Sequence, residues 1–254
     1  MWLITEYRPA TLFSFKIGVA TSTGAKTLFL PTPFAIRTAL LDAAIRTRGK
    51  ESAEEVFDAL KPLRIAASPP ERVVVTNLFA KVQKPTRAKG KKGDDEGEKD
   101  DEEEQGKPMT PSIAFREYAH LDGTLALAFE GSTDALKFIE ELAPQVNYFG
   151  KRGSFFQWMD RVRYEPELPA GFTRLDEGMA FENGKITNNV PAAFPLGVIQ
   201  LMDDWGEALT FEKVNVYSDA PIRIPKDRVR RSVVFPYRLS RSSRGFSYYE
   251  WQHG

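Results

Sequence analysis

The residues best suited to chemistry lie in one short stretch, residues 147–156, where two glycines bracket two cations. Gly150 and Gly153 allow positive φ and a close approach of the backbone to a phosphate, whose charge Lys151 and Arg152 can neutralise. Four flanking aromatic side chains offer faces on which unpaired bases can stack: Tyr148, Phe149, Phe155 and Phe156. The pattern favours a loop that binds a polyanion. The alternative is a tight helix-to-strand turn with core aromatic residues and solvated cations.

The charge distribution points the same way, although the formal net charge is zero. Nine acids and one base lie between Asp94 and Glu104, so this run carries −8 and the remainder of the chain +8. Between Arg223 and Arg244, eight bases face only one acid, Asp227. Such a cluster favours a polyanion partner, because its cations repel one another until a negative charge is brought to them. The alternative is a set of solvated strand faces.

Composition excludes several other classes of function. The 254 residues contain no cysteine and only two histidines, His120 and His253, which argues against a disulfide framework, a thiolate nucleophile or a His-rich metal centre. We therefore expect no metal and no cofactor. No apolar run is long enough to span a bilayer, and the first residues do not resemble a secretory signal. We expect a cytoplasmic protein without a membrane partner.

Hydrophobic periodicity predicts an α+β fold. A strand-like block at 11–17 precedes a helix with Thr32 as its N-cap, Pro33 as its first residue and Gly49 at its end. A second helix at 53–60, a strand pair at 72–82 and 113–118, a strand at 125–130, a helix at 133–142 and a strand at 155–163 follow. This order is βαββαβ, the ferredoxin-like plan of RNA-recognition domains. We assign residues 1–165 to this domain and residues 166–254 to an antiparallel β extension, with strands at 209–217 and 232–238.

The insert from Lys84 to Pro111 is a low-complexity, charge-segregated segment. Its basic beginning leads into the acidic run described above. Low hydrophobicity with this charge pattern predicts disorder in isolation.

Two motifs resemble a known family. Residues 29–41, with the sequence FLPTPFAIRTALL, resemble the proline-led first helix of the RAMP proteins of CRISPR systems, and residues 148–154, YFGKRGS, resemble their glycine-rich loop. The best match is the fifth Cas family, the type I Cascade subunit that caps the 5′ handle of crRNA. The resemblance covers about residues 1–163 and places the insert at 84–111 in the position of the family's thumb. The insert departs from the family in its acidic tip, and the loop has glycine where an acidic residue is often found.

The resemblance implies a non-catalytic RNA-binding subunit. Lys151 and Arg152, held between Gly150 and Gly153, would clamp the phosphates of the crRNA 5′ handle, while Tyr148 or Phe155 stacks a splayed base. Lys26 and Arg37 would line the same side. The implied protein partners are the Cascade backbone subunit and the Cascade large subunit. Five further arginines could contact the same RNA, target DNA or a neighbouring subunit: Arg230, Arg231, Arg238, Arg241 and Arg244.

Two other functions stay open at this point. Some members of the family are metal-independent endoribonucleases that mature crRNA, which would require a base, an acid and a cation near the phosphate. Candidates for those roles are His120, Tyr118, Tyr148 and Lys151; the alternative for His120 is a strand-end histidine bonded to backbone. A generic single-strand-binding module would explain the basic surface but not the proline-led helix or the insert.

Overall fold

The computed structural model describes residues 1–18, 24–85, 109–178, 181–182, 185–186 and 197–252. Residues 86–108 of the predicted insert and His253 lie outside the described residues. The ends of the insert, residues 84–85 and 109–111, belong to strands, so the disorder predicted there is wrong. The helices are α1 (Pro33–Arg48), α2 (Lys50–Leu60), α3 (Thr133–Leu142) and α4 (Phe211–Val214), with a short 3-10 helix at Ala143–Gln145. The strands are β1 (Trp2–Pro9), β2 (Phe15–Lys16), β3 (Gly24–Ala25), β4 (Thr27–Leu28), β5 (Arg64–Ser68), β6 (Arg72–Pro85), β7 (Met109–Leu121), β8 (Leu125–Glu130), β9 (Phe156–Glu165), β10 (Thr173–Arg174), β11 (Phe181–Glu182), β12 (Lys185–Ile186), β13 (Val198–Trp205), β14 (Arg228–Phe235), β15 (Tyr237–Ser242) and β16 (Phe246–Trp251).

A five-stranded antiparallel sheet forms the centre, in the order β10-β5-β8-β1-β9. Side chains alternate across β1, so that Leu3 and Tyr7 enter the main core while Trp2 and Ile4 pack in a smaller cluster on the opposite face. The Tyr7 hydroxyl donates to the carbonyl of Ala143 at 2.9 Å, and burial raises the pKa of this tyrosine. The sheets are mostly antiparallel and the helices few, so the predicted α+β class is confirmed.

The predicted ends of α1 are confirmed, whereas α2 begins at Lys50 and not at residue 53 as predicted. The Thr32 hydroxyl accepts from the amide of Ala35 at 3.2 Å, Pro33 opens α1, and Gly49 ends it with a φ of 84°. At α3 the Ser132 hydroxyl caps the amide of Ala135 in the same way. These caps satisfy amides that have no partner within the helix.

Several predicted strands need correction. The first strand is β1, because the block predicted at 11–17 contributes only the two residues of β2. The strands predicted at 72–82 and 113–118 do pair, but as the hairpin β6–β7, which lies outside the central sheet. The strand predicted at 209–217 is wrong, since α4 occupies residues 211–214. Pro236 separates β14 from β15, because proline cannot donate to a ladder.

A second sheet joins the hairpin to the end of the chain, in the order β15-β16-β6-β7-β3. Strand β16 pairs with β6 from Phe246 opposite Thr76 to Glu250 opposite Arg72. The remaining pair of long strands, the β13–β14 ribbon, packs against α1. None of the described helices combines the length and apolar composition needed to cross a membrane.

Arg37 does not face solvent as the sequence suggested. Its side chain is 3% exposed and binds the carboxylate of Asp204, with Nε 2.8 Å from Oδ1. The other guanidinium nitrogens donate to the carbonyls of Leu60 and Leu63, where the chain leaves α2. These acceptors occupy the side chain inside the core, so the prediction that Arg37 lines the RNA side is wrong.

We expect Arg37→Ala to lower the free energy of unfolding by about 3–5 kcal/mol, because it leaves a buried carboxylate and two carbonyls without their donor. The matched control is Arg64→Ala, whose exposed side chain pairs with Glu130 and whose loss should cost at most about 1 kcal/mol. Urea denaturation of both variants measures the difference. Equal costs would contradict the structural role of Arg37.

Candidate nucleic-acid interface

The glycine-bracketed turn, residues 147–156, is a narrow hairpin between the short helix after α3 and strand β9. Tyr148 and Phe155 form an isolated antiparallel bridge, and the amide of Phe156 donates to the carbonyl of Asn147 at 3.0 Å. At the tip, the amide of Ser154 donates to the carbonyl of Lys151 at 3.1 Å. The side chains of Lys151 and Arg152 therefore project into solvent from the end of a hydrogen-bonded turn.

Both glycines have backbone conformations that disfavour other residues. Gly150 has a φ of 62° and Gly153 a φ of 97°. A Cβ on Gly150 would also lie 3.6 Å from the Phe15 ring, whereas one on Gly153 would meet nothing within 4 Å. Conformation therefore requires glycine at both positions.

Neighbouring backbone holds the turn in place. The amide of Ala10 donates to the carbonyl of Phe155 at 3.0 Å, and the Thr11 hydroxyl lies 3.4 Å from the carbonyl of Gly153. The segment after β1 thus positions the turn beside the sheet.

The aromatic residues of the turn divide into two pairs. Phe149 and Phe156 are core residues at 1% and 2% exposure, and their rings meet edge to face at 5.3 Å. They cannot stack a base as the sequence suggested. Phe155 is 46% exposed and Tyr148 is half-buried. Of the aromatic side chains in the turn, these two remain accessible to a ligand.

A cavity of about 290 Å³ opens between the turn and the first half of α1. Three aromatic residues line it: Phe15, Phe34 and Tyr148. Backbone of Gly150 and the polar side chains of Thr38 and Asp42 complete much of the wall. This volume is compatible with one flat aromatic group and part of its substituent.

Cations stand beside this cavity. Lys16 is an exposed lining residue, and the guanidinium of Arg228 lies 4.4 Å from the centre of the Phe34 ring. Arg228 also pairs with Asp203, whose second oxygen lies 3.4 Å from Nε of Arg230. The charged side chains of the wall are thus two cations, Lys16 and Arg228, and two carboxylates, Asp42 and Asp203, and each carboxylate is paired with an arginine.

Sequence reasoning missed Lys16, Phe34 and Arg228 as site residues. Phe34 could have been identified from its position directly after the proline that opens α1. Arg228 belongs to the basic run, but only the pairing of β13 with β14, with Trp205 opposite Arg228, places it here.

The remaining predicted cations lie in two places. Arg230 donates to the carbonyl of Gly18 at 3.1 Å and stays on the ribbon with Arg231, whose Nη1 is buried without a hydrogen-bond partner among the described atoms. Arg238, Arg241 and Arg244 are exposed on β15 and the following turn, in the second sheet. Lys26 is exposed between β3 and β4. The structure therefore divides the basic cluster between the ribbon and the second sheet.

The groups of the nuclease hypothesis are not brought together. His120 is exposed on β7 opposite Val74, and none of the hydrogen bonds or ion pairs among the described residues links it to Tyr148 or Lys151. Tyr118 lies on the same side of β7, two residues away. Within the described ranges, no group of three His, Asp or Glu side chains is arranged to hold a metal ion.

Comparisons with solved structures return proteins of CRISPR systems. One is titled Cryo-EM structure of the Type III-B Cmr-beta bound to cognate target RNA, with 14% identity, 64% of this chain and 59% of that chain covered, and a TM-score of 0.40. A second, a CRISPR RNA-guided surveillance complex, has 18% identity, coverage of 92% and 88%, and a TM-score of 0.48. A third, a CRISPR protein from Archaeoglobus fulgidus, has 11% identity, coverage of 99% and 92%, and a TM-score of 0.38. This chain thus spans about three fifths of the matched Cmr-beta chain. No protein-family model and no curated protein sequence matches.

We expect Gly150→Ala and Gly153→Ala each to lower the free energy of unfolding by about 1–2 kcal/mol, because alanine is strained at positive φ. Gly245→Ala is the matched control, since a Cβ there meets nothing within 4 Å and its φ is ordinary. Chemical denaturation measures all three. A control as destabilised as the two turn variants would contradict the conformational argument.

Proposed function

We propose that this chain is a non-catalytic RNA-binding subunit of a CRISPR effector complex, and that its glycine-bracketed turn binds the 5′ handle of crRNA. The proposal follows the sequence resemblance to the fifth Cas family. It assigns phosphate binding to Lys151 and Arg152 and base stacking to Tyr148 or Phe155.

The observation that carries the proposal is the turn beside its cavity. Lys151 and Arg152 are exposed and make no ion pair with any described residue, so they are available to phosphates. Tyr148 belongs both to the turn and to the cavity wall. A phosphate at the tip and a base against Tyr148 and Phe34 would be adjacent parts of one nucleotide strand.

The connectivity of the central sheet supports the same assignment. Strands β5, β8, β1 and β9 lie side by side, with α1 and α2 between β1 and β5 along the chain, and α3 between β8 and β9. This is the order of a ferredoxin-like domain, for which we propose residues 1–165. Hairpin β6–β7 follows the second strand of that order, the position of the family's thumb. Residues 166–254 remain the proposed β extension.

The proposal includes partners and location. The Cascade backbone subunit and the Cascade large subunit would be the protein neighbours in a cytoplasmic complex. Lys26 and the ribbon arginines Arg230 and Arg231 would face RNA or target DNA in that assembly.

We expect the double variant Lys151→Ala/Arg152→Ala to weaken binding of handle RNA and to flatten its salt dependence. Each lost phosphate contact should reduce the slope of log affinity against log salt by about 0.7, because fewer counterions are released. Fluorescence anisotropy over a salt series measures both quantities.

The control for net charge is Arg64→Ala/Lys137→Ala, which removes two exposed cations paired with Glu130 and Asp134. Its slope should equal that of the unmodified protein. An unchanged slope in the turn variant would remove the turn from the binding site.

The non-catalytic part of the proposal has a separate test. Purified protein should bind repeat RNA without cutting it, and His120→Ala should leave this absence of cleavage unchanged, because His120 has no proton-transfer partner among the described residues. Gel analysis of labelled RNA in EDTA measures cleavage. Metal-independent cutting that falls at least about a hundredfold in His120→Ala would show a nuclease instead.

A further inference from the structure

The second sheet has a solvent-facing side whose residues are ordered by strand pairing. Arg241 on β15 lies opposite Tyr248 on β16, Tyr248 lies opposite Val74 on β6, and Val74 lies opposite His120 on β7. A neighbouring row runs from Phe246 through Thr76 to Tyr118. Their opposite neighbours Val73, Val75, Ala119 and Leu121 are buried, so both rows point away from the core. We call this side the outer face.

The outer face continues to the glycine-bracketed turn. Phe13 and Ala119 exchange two backbone hydrogen bonds, of 3.0 and 2.7 Å, in an antiparallel bridge. Antiparallel pairing therefore places exposed Leu12 beside His120, and Thr11 then contacts Gly153. Five steps of about 4.8 Å separate the turn from Arg241, a path of roughly 24 Å.

The chemistry of the outer face suits an unpaired polynucleotide. Tyr118, Phe246 and Tyr248 present partly exposed rings. Exposed cations stand around them on β6, β15 and the following turn: Arg72, Arg238, Arg241 and Arg244. Exposed rings bordered by arginines are an arrangement on which successive bases stack while phosphates are neutralised.

Two hollows lie on either side of Glu250. One, of about 450 Å³, is lined by Arg72, Arg238, Trp251 and a second acid, Glu71. The other, of about 290 Å³, is lined by Arg241, Phe246 and Tyr248. A hydrogen bond from Ser240 lowers the pKa of Glu250, and the bond from Tyr248 and the nearby arginines act in the same direction. Glu250 is thus ionised beside Tyr248. The four arginines of the outer face, Arg72, Arg238, Arg241 and Arg244, exceed by one the acids near them, which are Glu71, Asp122 and Glu250.

We infer that the outer face is a second single-stranded RNA surface, over which the strand bound at the glycine-bracketed turn continues toward β15. Continuity with the turn and charge complementarity identify the occupant as that same RNA. The inference rests on the proposed function, because it takes the turn as the starting point of the path. Tyr248 stacks a base, and Arg241 binds an adjacent phosphate.

The test uses two oligouridylates, one of about four and one of about twelve nucleotides, since single-strand sites span this range. Tyr248→Ala/Arg241→Ala should lower affinity for the long RNA by at least about fivefold, the lower end expected for one lost stacking contact. The turn alone can hold the short RNA. The double variant should therefore lower the affinity for the short RNA by a smaller factor than the affinity for the long RNA.

Conservative and distant variants separate recognition from folding. Tyr248→Phe keeps the ring and Arg241→Lys keeps the charge, so each should retain most of the affinity. Tyr217→Ala/Arg64→Ala removes an exposed tyrosine and an exposed arginine that lie off the outer face, and should bind both RNAs as the unmodified protein does. Thermal melting confirms that each variant is folded.

The outcomes distinguish the two proposals. One outcome would overturn the outer-face inference alone. In it, the turn variant Lys151→Ala/Arg152→Ala binds RNA more weakly, while folded Tyr248→Ala/Arg241→Ala binds the long RNA with full affinity. The opposite outcome would overturn the handle site and support only RNA binding on the outer face. In it, Tyr248→Ala/Arg241→Ala binds RNA more weakly, while Lys151→Ala/Arg152→Ala keeps its affinity. Tighter binding of an oligothymidylate than of the oligouridylate of equal length would overturn the assignment to RNA.

Discussion

The buried ion pair between Arg37 and Asp204 joins helix α1 to the β13–β14 ribbon inside the core. The Nη atoms of Arg37 donate to the carbonyls of Leu60 and Leu63, so the same guanidinium also fixes the end of α2. A buried pair of this kind holds its elements in place, because removing either partner leaves the other charge buried without a partner. Asp203, the next residue on β13, points to the opposite side of the ribbon and meets Arg228 and Arg230. The core pair therefore sets the position of the cations at the cavity beside the glycine-bracketed turn.

The electrostatics of the interface follow from this arrangement. One buried carboxylate faces two arginines at the cavity, and Arg228 extends over the Phe34 ring, while Lys151 and Arg152 project from the turn. Zero net charge for the chain conceals the basic run at 223–244, because residues 94–104 carry a charge of −8 in the sequence. The two sheets meet at the segment after β1, where Phe13 bridges β7 and Ala10 bonds the turn. A nucleotide strand bound at the turn is thereby next to the outer face.

Local signals in the sequence predicted the parts of the fold that depend on local physics. Thr32 and Pro33 define the start of α1 through a cap and a fixed φ, and the glycines around Lys151 indicate the turn. Strand β1 was missed because its first six residues are all buried, including Thr5 and Glu6, so no alternation appears in the sequence. Strand β5 was missed because its buried positions include two alanines, Ala66 and Ala67, which carry little strand signal. The buried position of Arg37 depends on an acid 167 residues away, which no local pattern reveals. The cavity likewise draws on segments from Phe15 to Arg228, so only the folded chain shows it.

Photo-crosslinking tests the central claim most directly. A crRNA with thiouridine at single positions of its handle would be irradiated in complex with the protein, and the crosslinked peptides identified by mass spectrometry. The account predicts crosslinks to peptides that contain Tyr148 or Phe34, with the adjacent nucleotide near the turn. Efficient crosslinking confined to other surfaces, such as the edge strands β9 and β10 of the central sheet, would contradict it.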